Sequence, residues 1–256
     1  MVTVNDIERA LYEWAPLSLA MRNDRVGLQA GERSKPVRHV LVSLDVTQAV
    51  INEAVFSRAD LIVSHHGVLY GDSIRPNDDT DAGTVLLTLC QTGIASVAMH
   101  TNLDAAKGGV NDELARLIGL EDVRVFDEKS GIGRMGRLAK PMLARTLATQ
   151  CKMALKTGIV RFYDAGKPVQ AVALSSGGGG DLLEDAIRAG CDAFVTGDVK
   201  HSGFLTARNQ GISLLDCGHF ATENIIVPVL AEYLIKLFPL LKVSVSDQNP
   251  EPFQCL

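Results

Sequence analysis

Residues 54–66 read AVFSRADLIVSHH, and residues 186–198 read AIRAGCDAFVTGD. The two stretches share one plan. Each runs from the end of an apolar-patterned helix to an aspartate (Asp60, Asp192), then through a short apolar run, then into a polar pair (His65-His66, Gly197-Asp198). A brief apolar run between turn signals is the mark of a strand buried on both faces. Downstream of the first copy, a second run at 95–98 opens into His100-Thr101-Asn102-Leu103-Asp104. Downstream of the second copy, a run at 212–215 opens into Asp216-Cys217-Gly218-His219. The chain thus reads as two related repeats, each delivering polar residues from two strand ends.

Further strands are expected at 40–44 and 169–174, with helical spacing of apolar residues at 47–57, 82–92, 109–119, 181–190 and 220–238. Strands alternating with helices predict an α/β fold with largely parallel or mixed sheets. The stretch 121–168, punctuated by Gly131, Gly133 and Gly136, breaks the rhythm and carries one expected helix, 142–154, after Pro141. The junction between two lobes is placed here, giving 1–120 and 121–256. In open α/β sheets, ligands gather at the carboxyl ends of the strands, which is where both repeats concentrate their polar residues.

The chain has 256 residues and a formal net charge of −5, and its Lys and Arg residues form no stripe. That argues against a nucleic-acid partner, which needs a basic surface. No uncharged apolar stretch approaches a membrane span. The N-terminus MVTVNDIERALYEWAPL has acids where a signal peptide carries bases. Cys90, Cys151, Cys191, Cys217 and Cys255 are odd in number and lack CxxC spacing, so reduced thiols in a cytoplasmic protein are expected.

Four clusters carry candidate chemistry. His65 and His66 leave a strand together; adjacent side chains point to opposite faces of an extended chain, so they serve two ions, or one after a bend at Gly67. On its own the pair is weak evidence and reads better as two half-exposed histidines at a strand end. Asp104 offers a hard oxygen, with His100 as ligand or outer partner; the plain alternative is an Asx-type turn. His219 and Glu223 are four apart and share a face if a helix starts near Phe220. In Thr196-Gly197-Asp198-Val199-Lys200-His201 the acid and imidazole read as an outer shell orienting ligands, as substrate contacts, or as a helix cap.

Together the clusters supply His65, His66, Asp104, His219 and Glu223. This nitrogen and oxygen set suits two divalent ions (Zn, Fe, Mn, Ni or Co) better than Ca or a thiolate site. Glu223, with two oxygens, is the natural bridge. Two ions about 3.5–4 Å apart activate a water and clamp a leaving oxygen. His100 and Asp198 are the candidate proton carriers. The leading expectation is a hydrolase of a small nucleotide-like or phosphorylated substrate; the alternative is a metal-handling protein without turnover. The glycine run 177–180 reads chiefly as a tight strand–helix turn, with anion contact as a second possibility, and it fits no dinucleotide fingerprint.

These motifs resemble the GTP cyclohydrolase I type 2 homologue family, the NIF-three-like metal-binding proteins, along nearly the whole chain. The resemblance runs through SLDVT (43–47), DLIVSHH (60–66), HTNLDAAKGGVND (100–112), GIGRMG (131–136), TGDVKH (196–201) and LLDCGHFATE (214–223). It implies a dinuclear metal site on the same five residues, two intertwined lobes made of α/β repeats, a homohexamer and, by family name, cyclohydrolase chemistry. The chain departs from the family's Trp-Asp-Asn-x-Gly-Leu motif, reading Asn23-Asp24-Arg25-Val26-Gly27-Leu28, and has Gly67-Val68 where many members have Pro-Leu. It is of the short form, without the domain that some relatives insert between the lobes.

Overall fold

A computed structural model describes residues 1–69 and 75–254; Cys255 lies outside them. In chain order the elements are α1 (Val4–Trp14), β1 (Gly27–Ala30), β2 (His39–Ser43), α2 (Gln48–Ser57), β3 (Leu61–Ser64), α3 (Asp81–Thr92), β4 (Ala95–Ala98) and α4 (Thr101–Ala105). Then follow α5 (Val110–Leu117), β5 (Leu120–Val125), β6 (Arg134–Met142), α6 (Ala144–Ala154), β7 (Arg161–Tyr163), β8 (Val169–Leu174), α7 (Leu183–Arg188) and β9 (Ala193–Thr196). The last are α8 (His201–Gln210), β10 (Ser213–Asp216), α9 (His219–Glu223), α10 (Ile226–Leu237) and β11 (Lys242–Val245).

The chain divides into two compact units: Met1–Ala106 with Ile226–Pro250, and Lys107–Ile225 with Glu251–Leu256. The chain leaves the first unit after Ala106, returns to it with α10 and β11 after Ile225, and leaves it again after Pro250. The first unit holds a sheet of order β1-β4-β3-β2-β11, parallel except for β1. The second holds a mixed sheet of order β5-β6-β8-β9-β10-β7, in which β8, β9 and β10 are parallel. The expected α/β class is therefore present, with one largely parallel and one mixed sheet.

The repeat seen in the sequence is structural. Reading from the antiparallel edge, β1-β4-β3-β2 has the same order and sense as β7-β10-β9-β8. The two aspartates that mark the copies do the same job. Asp60 Oδ2 accepts from the backbone N–H groups of Arg38 and His39, where β2 begins. Asp192 Oδ2 accepts from those of Gln170 and Ala171, where β8 begins. A carboxylate satisfying two N–H groups at a strand start locks the register of the neighbouring parallel strand. Each repeat also ends in a five-residue helix, α4 in one and α9 in the other.

In the second unit, Val172, Leu174, Val195 and Leu215 pack with α6 residues such as Leu147 and Cys151. The alternate residues Ala173, Phe194 and Leu214 pack with Leu183 and Ala186 of α7. The period of two shows a sheet buried on both faces, which is why these strands read as continuous apolar runs. In the first unit Leu41 and Ile62 pack against Val50 and Ile51 of α2 and Leu89 of α3.

Several expectations needed adjustment. The helix at 220–238 is two, α9 and α10. Continuing α9 would set the Pro228 ring against the carbonyl of Asn224; restarting at Ile226 puts Pro228 in a first turn, where no N–H is missed. Segment 181–190 enters through a 3-10 turn, Gly179–Leu182, before α7. Pro141 lies inside β6, at the shift in its pairing with β8, because proline cannot donate to a ladder. Among the described residues, no helix is long and apolar enough to cross a membrane.

Candidate metal centre

In the first unit, β3 delivers the histidine pair. His65 and His66 continue the ladder by donating their N–H groups to Ser43 and Leu44 carbonyls. Ser64 Oγ donates to the His66 carbonyl, bending the chain, and the two rings end only 4.9 Å apart. Gly67 supplies room, since a Cβ there would lie 2.7 Å from Gln29 Oε1. From β4, the chain passes through Met99 and His100 into α4, which carries Asp104. The His100 ring stands edge-on to His65 at 5.3 Å and to His66 at 5.5 Å. One nitrogen from each of these three rings lies within 4.8 Å of the others. His65 is fully buried, and its Nε2 is 3.6 Å from Asp104 Oδ1. Two ligands of a tetrahedral ion at about 2.0–2.1 Å stand about 3.4 Å apart, so this pair is spaced to share one.

The first-unit histidines have their Nδ1 atoms engaged. His65 Nδ1 is 2.8 Å from the Met99 carbonyl. His66 Nδ1 is 2.7 Å from Asp45 Oδ1. His100 Nδ1 is 3.0 Å from both oxygens of Asp24. Carbonyls and carboxylates only accept, so each Nδ1 carries the proton and the lone pair is on Nε2. Asp45 is braced in turn by Asn249: the Asn249 amide donates to Asp45 Oδ2, and Asn249 Oδ1 accepts from the N–H groups of Leu44 and Asp45.

In the second unit, β10 ends at Asp216, and Gly218 turns the chain into α9 with φ +87°. Asp216 holds that turn: it accepts from Gly218 N–H and Val199 N–H and pairs with Arg161. His219 and Glu223, one turn apart on α9, meet at 2.9 Å through Nε2 and Oε2. His219 Nδ1 is 2.7 Å from Asp198 Oδ2. With no ion present, the hydrogen bond to Glu223, opposed by burial and supported by both negative charges, raises His219 to about 9. Asp198 takes a left-handed backbone, φ +52°, at the end of β9. Lys200 and His201 are exposed at the start of α8, so of that cluster Asp198 reaches a ligand candidate.

Two glycines make this corner possible. A Cβ on Gly177 would fall 1.9 Å from Glu223 Oε1, and one on Gly197 would fall 2.7 Å from His219 N. Gly177 N–H also donates to Thr222 Oγ1, tying the glycine run to α9. The run is therefore a close-approach turn beneath the α9 side chains. His65, His66, His100 and Asp104 are brought together in one unit, and Asp198, His219 and Glu223 in the other.

The family model described as Duf34/NIF3 (NGG1p interacting factor 3) matches residues 2–252. The chain belongs to this family. A relative from Clostridium perfringens named GTP cyclohydrolase 1 type 2 homolog is 31% identical, with 98% of each chain covered. One of the same name from Streptomyces coelicolor is 34% identical, covering 87% of this chain and 82% of its own. Among solved structures, the Staphylococcus aureus hypothetical protein SA1388 superposes with a TM-score of 0.89 at 28% identity, covering 99% of both chains. Reduced HcgD from Methanocaldococcus jannaschii gives 0.83 at 27% identity, covering 96% of this chain and 98% of that one.

The residues that sequence reasoning left without a role are Asp24, Asp45 and Asn249. Asp45 lies in the SLDVT stretch and Asp24 in the altered N-terminal motif, so a signal existed for both. Asn249 stands in a tail with none.

Proposed function

We propose that this protein binds two divalent metal ions through His65, His66, Asp104, His219 and Glu223 and hydrolyses a small nucleotide-like or phosphorylated substrate. The observation that carries the reading is the tautomer pattern. Three first-unit histidines and His219 each have Nδ1 engaged by a carbonyl or carboxylate, the arrangement by which proteins orient imidazoles toward a metal through Nε2. Three imidazoles with two carboxylates fit borderline ions such as Zn, Fe, Mn, Ni or Co. When bound, such ions supply Lewis acidity and lower the pKa of water. Glu223, with two carboxylate oxygens, is the proposed bridge. Asp198 orients His219, and His100 handles a proton at Nε2. The relatives' name, GTP cyclohydrolase 1 type 2 homolog, supports a hydrolytic reaction on a nucleotide-like ring. Family membership supports a homohexamer, and the free thiols of the described cysteines support a cytoplasmic setting.

The test is metal analysis of freshly purified protein, followed by a substrate-library screen with each candidate ion. Glu223→Ala is expected to empty both positions and Asp104→Ala chiefly one, read as metal per chain after dialysis. Protein that binds no divalent ion ends the proposal. Protein that binds ions but turns over nothing is instead a carrier of them.

A further inference from the structure

We propose that the outer face of α6 docks an acidic amphipathic helix of a partner protein, one that carries carboxylates seven residues apart with apolar side chains between them.

The first observation is charge. From Lys129 to Tyr163 the chain carries eight Lys and Arg residues and no Asp or Glu, so all 30 acids of a net-negative protein lie outside this stretch. The bases are spread too thinly to form a run in the sequence. Two of them are neutralised: Arg134 pairs with Asp112 and Arg161 with Asp216. Lys140, Arg145, Lys152 and Lys156 are all exposed, and among the described residues none of the four forms an ion pair.

The second observation is how α6 presents them. Ala144, Leu147, Ala148 and Cys151 turn toward the core. Arg145 and Lys152, seven residues apart, fall within about 20° of each other around the helix, on its solvent side. Beside that row runs a groove of about 700 Å³ lined by Arg145, Thr146, Thr149, Gln150, Met153 and Ala154, with mainly apolar walls. Met153 is 75% exposed, and Leu143, at the head of α6, 57%. The Arg145 guanidinium lies over the Phe162 ring, 5.5 Å from its centroid, so it is ordered before any partner arrives and loses less freedom on binding. Gln150 Nε2 donates to the Ile118 carbonyl at 2.7 Å, which pins α6 to the end of α5.

This combination selects the occupant. Unpaired bases along a rim call for an acidic partner, and an apolar groove with a pliable methionine calls for aliphatic side chains on one face of a helix. Arg145 and Lys152 stand about 10.5 Å apart along the axis. Carboxylates at i and i+7 of a partner helix have the same spacing, and residues i+3 and i+4 between them face the groove. Nucleic acid fits less well. Single strands stack their bases on exposed aromatic rings, whereas the large exposed apolar residues of 134–163 are Leu143, Met153 and Ile159.

Fluorescence anisotropy on the full-length protein tests this with three labelled helical peptides of about 15 residues. One carries Glu at i and i+7 with Leu at i+3 and i+4, one has the same residues scrambled, and one has Lys in place of both Glu. The first is expected to bind at least about tenfold more tightly than the others. Met153→Glu, and Arg145→Glu combined with Lys152→Glu, should each weaken it by about tenfold or more. The double charge reversal should also bind the Lys peptide in preference to the Glu peptide, a swap that a misfolded variant cannot produce. Leu240→Glu, at an exposed position of the first unit, should change nothing. Equal binding of the scrambled peptide overturns the proposal, and so does absence of the charge swap. Tighter binding of a single-stranded oligonucleotide, lost in the same variants, overturns it in favour of a nucleic-acid surface. A smaller sedimentation mass of Met153→Glu than of wild type overturns it by showing that a second copy of the chain covers α6.

Discussion

Gly177→Ala tests how closely the α9 carboxylate is fitted to its backbone. The added Cβ would lie 1.9 Å from Glu223 Oε1, 2.8 Å from its Cδ and 3.2 Å from His219 Nε2. Non-bonded carbons do not approach oxygen within 3.0 Å, so the carboxylate must retreat by about 1 Å or swing aside. Metal–ligand distances tolerate only about 0.2 Å, so the displacement is several times what a coordinated oxygen allows. Outer contacts to ligands command about 10–100-fold in affinity, and moving a ligand itself places the expected loss at the upper end or beyond. The backbone adds its own cost. Gly177 sits at φ +57°, where an L-residue loses about 1–2 kcal/mol; for a chain of this size that lowers Tm by about 2–8 °C. The control is next door: Gly178 has φ −81°, and nothing lies within 4 Å of the place its Cβ would take. Gly178→Ala should therefore keep both affinity and Tm. The assay is competition for zinc against a chromophoric chelator, with calorimetric unfolding of the metal-free variants. Wild-type zinc affinity in Gly177→Ala would refute the assignment of Glu223 as a ligand. Equal losses in the two variants would show that the effect is not the clash.

The brace behind His66 gives a graded pair: Asp45→Ala should weaken metal binding about 10–100-fold, and Asn249→Ala, which supports Asp45 and the Leu44 N–H from behind, by less. The reverse order in zinc competition would break that chain of support. His39, lowered by burial and then by the Lys242 charge, with the Ser57 carbonyl and Asp60 opposing, predicts a pH effect. The unfolded chain takes up a proton near pH 6.5 that the folded ring refuses, so stability is unaffected above that pH and falls as pH drops below it. His39→Gln should flatten this part of the Tm–pH profile; an unchanged slope would show that His39 does not contribute.

The parallel strands were legible because they are covered on both faces, so that residues such as Ala193, Phe194 and Val195 form one apolar run whichever face each serves. The added strands were not. β5 is exposed at every position after Leu120, and β7 is three residues long, so neither carries a hydrophobic period. The ligand candidates were legible because each leaves a strand end as part of a polar cluster that a plain turn does not need. Their braces were hidden by separation along the chain: 76 residues between Asp24 and His100, and 204 between Asp45 and Asn249. No local pattern encodes such a pairing; only the fold closes it.

The two repeats also explain why the chemistry differs at equivalent places. Met99 donates its N–H to the Ser64 carbonyl, and Cys217 donates to Thr196 in the same way, so His65-His66 corresponds to Gly197-Asp198 and His100 to Gly218. The first repeat fills these slots with imidazoles. The second leaves two of them bare: a Cβ on Gly197 would strike the Gly177 carbonyl and the Gly218–His219 backbone, and Gly218 turns the chain at φ +87°. That bareness lets the turn into α9 pack down so that His219 and Glu223, one turn apart, can supply the donors instead. A duplicated scaffold thus presents side chains from its strand ends in one copy and from its short helix in the other. Gly197→Ala, which removes the second arrangement, should lose zinc affinity while the three-histidine cluster of the first unit keeps its Nδ1–H tautomers.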